Sequence, residues 1–136
     1  MNDVNKQVNV KLEVEKGDAA LRQAHLLFQN KEFDGCISRA YYAVFHYVSA
    51  LLLTQGIEAR SHEGLVRLFN LHFIRTAIFP KRYSTILSHA QKAREESDYR
   101  PEIPFTEEDA KNRLTEAEEF ITSVGNTLRQ EQYLST

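Results

Sequence analysis

Two arginine–histidine pairs in this chain have a spacing that suits chemistry. Arg39 and His46 lie seven residues apart in the apolar run CISRAYYAVFHYVSALLL, residues 36–53, and Arg82 and His89 are seven apart in RYSTILSH. Seven residues are two helical turns, so each pair shares one helix face. A guanidinium beside an imidazole sets a phosphate binder next to a proton carrier. A third group, REESDYR, places Arg94 four residues before Asp98, with Tyr99 and Arg100 following. Arg94 continues the inward line of Leu87 and Ala90. Its bland reading is an i,i+4 ion pair with the arginine first, the less favourable order. For Arg39 the bland reading is a buried salt bridge, since a buried guanidinium needs an anionic or carbonyl partner. The functional reading is a polar cleft between helices. His46 reads first as a satisfied core histidine.

Other chemistries are poorly served. The histidines are His25, His46, His62, His72 and His89, and no two of them form an i,i+4 pair. HExxH and paired-cysteine spacings are absent, so no metal site and no cofactor are expected. There is no GxSxG elbow and no glycine-rich phosphate loop.

The elements that must position these residues read as helices. In VNVKLEV the apolar residues Val8, Val10, Leu12 and Val14 alternate as in a strand, but no second strand exists to pair with it. A first helix is therefore expected, firm from Gly17 to Asn30, with residues 1–16 frayed. Asp34 is a candidate N-cap for a second helix over 35–55, and Gly56 suits its C-terminal stop. That helix is apolar nearly all round, too much so for four neighbours to cover easily, which predicts a homodimer. Ser61 can cap a third helix over 62–76, and Pro80 separates it from a fourth over 81–98. Thr106, followed by Glu107, Glu108 and Asp109, opens a fifth. Its stripe of Ala110, Leu114, Ala117, Ile121, Val124 and Leu128 is spaced four, three, four, three, four. The fold expected is an all-α, five-helix up-and-down bundle.

At 136 residues the chain is one domain, with its core at about 17–128 and residues 129–136 frayed. The longest apolar run holds Arg39 and His46, so no membrane span is expected. The N-terminus does not read as a signal peptide, and a lone cysteine, Cys36, suits a reducing cytoplasm. The net charge of −2 hides an asymmetry: residues 60–100 carry eight Lys/Arg against four Asp/Glu, and residues 101–136 carry three against eight. A basic middle attracts phosphates; alternatively the two stretches pair as solvated helices.

SRAYYAVFHYVSALLLTQG, SHEGLVRLFNLHFI, AREESDYR and TEEDAKNRLTEAEEFITSV, in that order, resemble the HEPN superfamily, and within it the small stand-alone prokaryotic HEPN proteins with RAYYA and R…DY motifs. The resemblance implies a helical bundle that pairs with itself. It also implies a partner, a minimal nucleotidyltransferase, in a toxin–antitoxin pair. Active members are metal-independent RNases with four to six residues between an arginine and a histidine, and their dimer interface forms the RNA cleft. Here Arg94 matches the motif arginine and Tyr99 stands where the histidine would be. Tyrosine is a poor acid or base near neutral pH. Arg82 and His89, with six residues between them, fit that spacing but precede the motif position. The expected role is thus a nucleotide- or RNA-binding partner, with Arg39, Tyr41, Tyr42, Arg94, Asp98, Tyr99 and Arg100 around the site. Tyr99 is the candidate acceptor of an AMP group. An endoribonuclease and a ligand-free interaction protein are the alternatives.

Overall fold

The computed structural model describes residues 2–99, 102 and 104–135. Arg100 lies outside the described residues. The helices are α1 (Asp3–Gln29), α2 (Phe33–Thr54), α3 (His62–Phe69), α4 (Lys81–Tyr99) and α5 (Glu107–Gln130), with a π-helical turn at Asn70–Ile74 continuing α3. No strand occurs among the described residues, and the expected all-α bundle of five helices is the observed one.

α1 departs from the expectation of a frayed start. It begins at Asp3, and the Asn2 side chain caps it by accepting from the Asn5 amide at 2.8 Å. The strand-like alternation misleads because Val8 and Leu12 face solvent, whereas Val10 and Val14 are buried with Gly17, Ala20 and Ala24. This buried line of small residues lets α2 lie close. A Cβ on Gly17 would stand 2.6 Å from the Tyr47 ring, and the Tyr47 hydroxyl donates to Asp18 at 2.6 Å. The closest part of the crossing is therefore pinned by a polar contact.

α2 is the central element. It packs along α1 and against α4 and α5. Val44, Val48, Leu51 and Leu52 are wholly buried, each contributing about 1.5–3 kcal/mol. α2 is long and apolar enough to cross a membrane by composition, yet most of it is covered by its neighbours. Within one chain α1, α4 and α5 supply that cover. Cys36 is fully buried, and burial pushes its thiol up to about 11. Asp34 is not the N-cap. It sits in the first turn of α2, after Glu32, and its carboxylate accepts from the Phe105 amide at 3.1 Å. Its backbone carbonyl accepts from the Ser97 hydroxyl at 3.0 Å, so this residue ties α2 to the end of α4 and the start of α5. Gly56, with φ of +72°, ends the helix in the left-handed region as expected.

Ser61 caps α3 by accepting from the Gly64 amide at 2.9 Å. The single helix expected over 62–76 is shorter: it widens into the π turn after Phe69, which leaves Phe69 and Phe73 stacked at 5.9 Å. With Phe79, Tyr83 and Phe120 they close one end of the bundle. α5 carries the capping box of Thr106 and Asp109, and its six stripe residues are all buried. Its C-terminal end is not frayed: Tyr133 bonds back to the Leu128 carbonyl at 2.8 Å, and Tyr133 and Leu134 rest on the core.

Candidate functional site

α2 presents Tyr41, Tyr42 and Phe45 toward the start of α3 and the last turns of α4. α3 and α4 run antiparallel, which brings His62, the first residue of α3, level with Arg94. Tyr41 is wholly buried, and its hydroxyl meets His62 Nδ1 at 2.5 Å. The His62 ring lies 5.1 Å from Phe45, 5.5 Å from Tyr41 and 6.3 Å from Tyr42.

The two arginines meet over Tyr42. The Arg39 guanidinium lies 4.7 Å from the centre of that ring, and the Arg94 guanidinium 5.6 Å from it and 5.7 Å from the Tyr41 ring. Contacts of this kind contribute about 0.5–2 kcal/mol according to their exposure. Arg94 is the more enclosed, its side chain 14% exposed, with Nε 3.2 Å from Asp98 Oδ2. The separation is that of an ion pair, but the N–H does not point along it, so the buried Nε has no hydrogen bond. Arg39 donates to Gln23 of α1 at 3.2 Å and has no carboxylate partner among the described residues. Arg39 and Asp98 line one shallow depression of about 470 Å³ with Asp34 and Ser97. Asp98 therefore pairs with Arg94, and Arg39 has no ion pair among the described residues.

His62 is held below the ordinary histidine range by burial first and by the Arg94 guanidinium second, against an opposing pull from Glu95. Burial pushes the Tyr41 phenol above its usual range, so it keeps its proton. A protonated phenol and a neutral imidazole share one hydrogen bond here, whose direction follows the imidazole tautomer.

The other sequence candidates lie elsewhere. His46 Nδ1 pairs with Glu13 of α1 at 2.8 Å, so it is the satisfied histidine expected and does not join Arg39 in the cleft. Arg82 pairs with Glu119 of α5 at 2.8 Å, and His89 lines a separate α4–α5 depression with Lys92 and Arg113. Tyr99 is 73% exposed at the end of α4. His62 and Phe45 were missed as site residues. The signal for His62 lay in the order of elements: a cap at the start of α3 must stand beside the end of an antiparallel α4.

The class these features define is a small helical bundle with an arginine–aromatic surface on its central helix. Comparison with known proteins narrows it. The profile described as HEPN domain matches residues 10–127, and the chain belongs to that family. It is 31% identical over 128 residues to a Methanocaldococcus jannaschii protein named "Putative toxin", covering 94% of this chain and 93% of the relative. A second protein of that organism with the same description is 30% identical, over 79% of this chain and 74% of its own. A Thermotoga maritima "UPF0332 protein" is 33% identical, over 76% of this chain and 79% of its own.

Proposed function

We propose that this HEPN protein works in a toxin–antitoxin-like pair and binds a phosphate-bearing ligand, a nucleotide or an RNA strand, on the Arg39–Tyr42–Arg94 surface. The pair itself is supported by the relatives whose names carry the word toxin. The observation that carries the binding reading is the placement of two guanidiniums against one tyrosine ring, with Arg39 in no ion pair among the described residues. A guanidinium takes a phosphate in bidentate fashion, and an aromatic ring stacks a base. The proposed partner is a minimal nucleotidyltransferase, and the exposed Tyr99 hydroxyl is accessible enough to accept AMP from it.

Fluorescence anisotropy with labelled single-stranded RNA, competed by AMP and ATP, tests the reading. Arg39→Gln and Tyr42→Leu should each weaken binding by about 5- to 100-fold, as for the loss of about 1–3 kcal/mol. No binding at millimolar ligand, or affinities indifferent to both variants, would sink it. RNA cleavage in EDTA that disappears in His62→Ala would make the protein an endoribonuclease instead. Incubation with a minimal nucleotidyltransferase encoded beside this gene, ATP and magnesium should add one AMP mass to the wild type and none to Tyr99→Phe. An unmodified wild type alongside an active transferase refutes that part.

A further inference from the structure

The basic middle of the sequence is only partly used by the contacts above. Arg82 and Arg94 have carboxylate partners, whereas Arg67 and Arg75 enter no ion pair among the described residues. These two line a depression of about 640 Å³ between α3, its π turn and the middle of α4, which supplies Gln91. Val66 and Leu71 form its apolar part, and Leu71 is 41% exposed. The π turn sets the two arginines together. Eight residues overshoot two turns of an α-helix by about 80°, which would carry Arg75 off the Arg67 face. Across Asn70–Ile74 each ring is one residue wider, the Arg75 amide donating to the Asn70 carbonyl at 2.9 Å, and the wider turn absorbs most of that excess. The Ser84 hydroxyl, donating to Asn70 Oδ1 at 2.6 Å, ties the turn to α4. Arg67 and Arg75 thus flank Leu71 on one face, about 12 Å apart along the axis.

We infer that this face is a docking site for an acidic amphipathic helix of a second protein. The inference is independent of the ligand reading above. The occupant follows from the order of charge and apolar surface. Two carboxylates seven residues apart on a helix share one face and stand about 10.5 Å apart, which matches the two guanidiniums. Apolar side chains three or four residues after the first carboxylate fall midway, over Leu71 and Val66, as in the recognition of a helix by a groove. Each guanidinium can take a carboxylate in bidentate fashion, and the Gln91 amide offers a hydrogen bond on the opposite wall. A nucleic-acid strand fits this order poorly. It carries a charge at every nucleotide, so one phosphate would meet Leu71 and another the Glu63 carboxylate, which lines the depression one turn before Arg67.

The probe is a synthetic alanine-rich helical peptide of about sixteen residues, with two glutamates seven residues apart and a pair of leucines midway between them. It is titrated into the isotope-labelled full chain and followed by amide chemical shifts. The shifts should centre on Arg67, Leu71, Arg75 and Gln91 and saturate with a Kd of about 0.1 mM. Arg67→Gln and Arg75→Gln, both at exposed positions, should each weaken binding by about 5-fold or more, with unchanged helix content by circular dichroism. Leu71→Asp should abolish it. The same peptide with lysine in place of both glutamates should not bind, and salt at about 0.5 M should weaken the glutamate peptide. Absence of saturable shifts at millimolar peptide overturns the proposal. Equal binding of the lysine peptide overturns it too, as does binding indifferent to both arginine variants. Single-stranded RNA that shifts Arg67, Leu71 and Arg75 where the acidic peptide does not would assign the face to nucleic acid instead.

Discussion

Asp98→Ala should destabilise the protein more than Arg94→Met, although both break the same ion pair. Removing Asp98 leaves the Arg94 guanidinium facing two tyrosine rings, with a buried Nε that has no hydrogen bond. Stranding a fully buried charge costs about 3–5 kcal/mol. Here the Asp98 side chain is 36% exposed, and water screens part of the loss, which reduces the figure to about 1–2 kcal/mol. For a domain of this size that is a drop in Tm of about 3–10 °C. Arg94→Met keeps most of the stem volume against Tyr41 and Tyr42 and removes the charge together with its unmet desolvation. It loses two cation–aromatic contacts, so its net cost should stay near 1 kcal/mol, roughly. In Arg94→Met/Asp98→Ala the second change should add almost nothing. Urea unfolding followed by circular dichroism measures all three. If Asp98→Ala melts with the wild type, or if the double variant is the sum of the singles, Asp98 does not act through Arg94.

Gly17→Ala removes a glycine from a helix interior, a gain of about 1 kcal/mol in helix propensity, yet the new methyl meets a Tyr47 ring held by Asp18. Overpacking of about 1–3 kcal/mol should prevail; chemical denaturation checks this, and a variant more stable than wild type refutes the close crossing. Thr106→Ala removes the α5 capping box and should lower stability by about 1 kcal/mol in the same melts. His62 is held below the ordinary value near 6.5 in the fold, so the unfolded chain takes up the proton first. Its contribution is complete above about pH 6.5 and is lost as pH falls through the lowered folded value. His62→Gln should therefore show a shallower loss of stability between pH 6.5 and 5, about, than wild type; parallel curves would contradict the assignment.

The parts of the fold legible in the sequence are those set by contacts a few residues apart. The α5 stripe, the Ser61 and Thr106 caps and the Gly56 stop all depend on neighbours within one or two turns, and each is found where spacing put it. Asp34 was misread because its partners, Ser97 and Phe105, come 63 and 71 residues later. The start of α1 was misread because an outward apolar stripe superimposed on an inward one imitates alternation. At the site, the arginines and Tyr42 were legible as types, and their meeting over one ring followed from α2 and α4 being neighbours. His62 was not, since its place depends on α3 lying antiparallel to α4. The neutral partner of Arg39, Gln23, carries no charge that would mark it in a sequence.

The complete burial of Cys36 makes this thiol an internal clock. It stands near the start of the central helix, so a thiol reagent reaches it only when packing around α2 opens. With reagent in excess, the labelling rate equals the opening equilibrium multiplied by the rate of a free thiol, provided reclosing is fast. Measured across low concentrations of urea, that rate reports how far α2 is released on its own and how far only with the whole chain. One native side chain thus separates partial from global opening without any added probe.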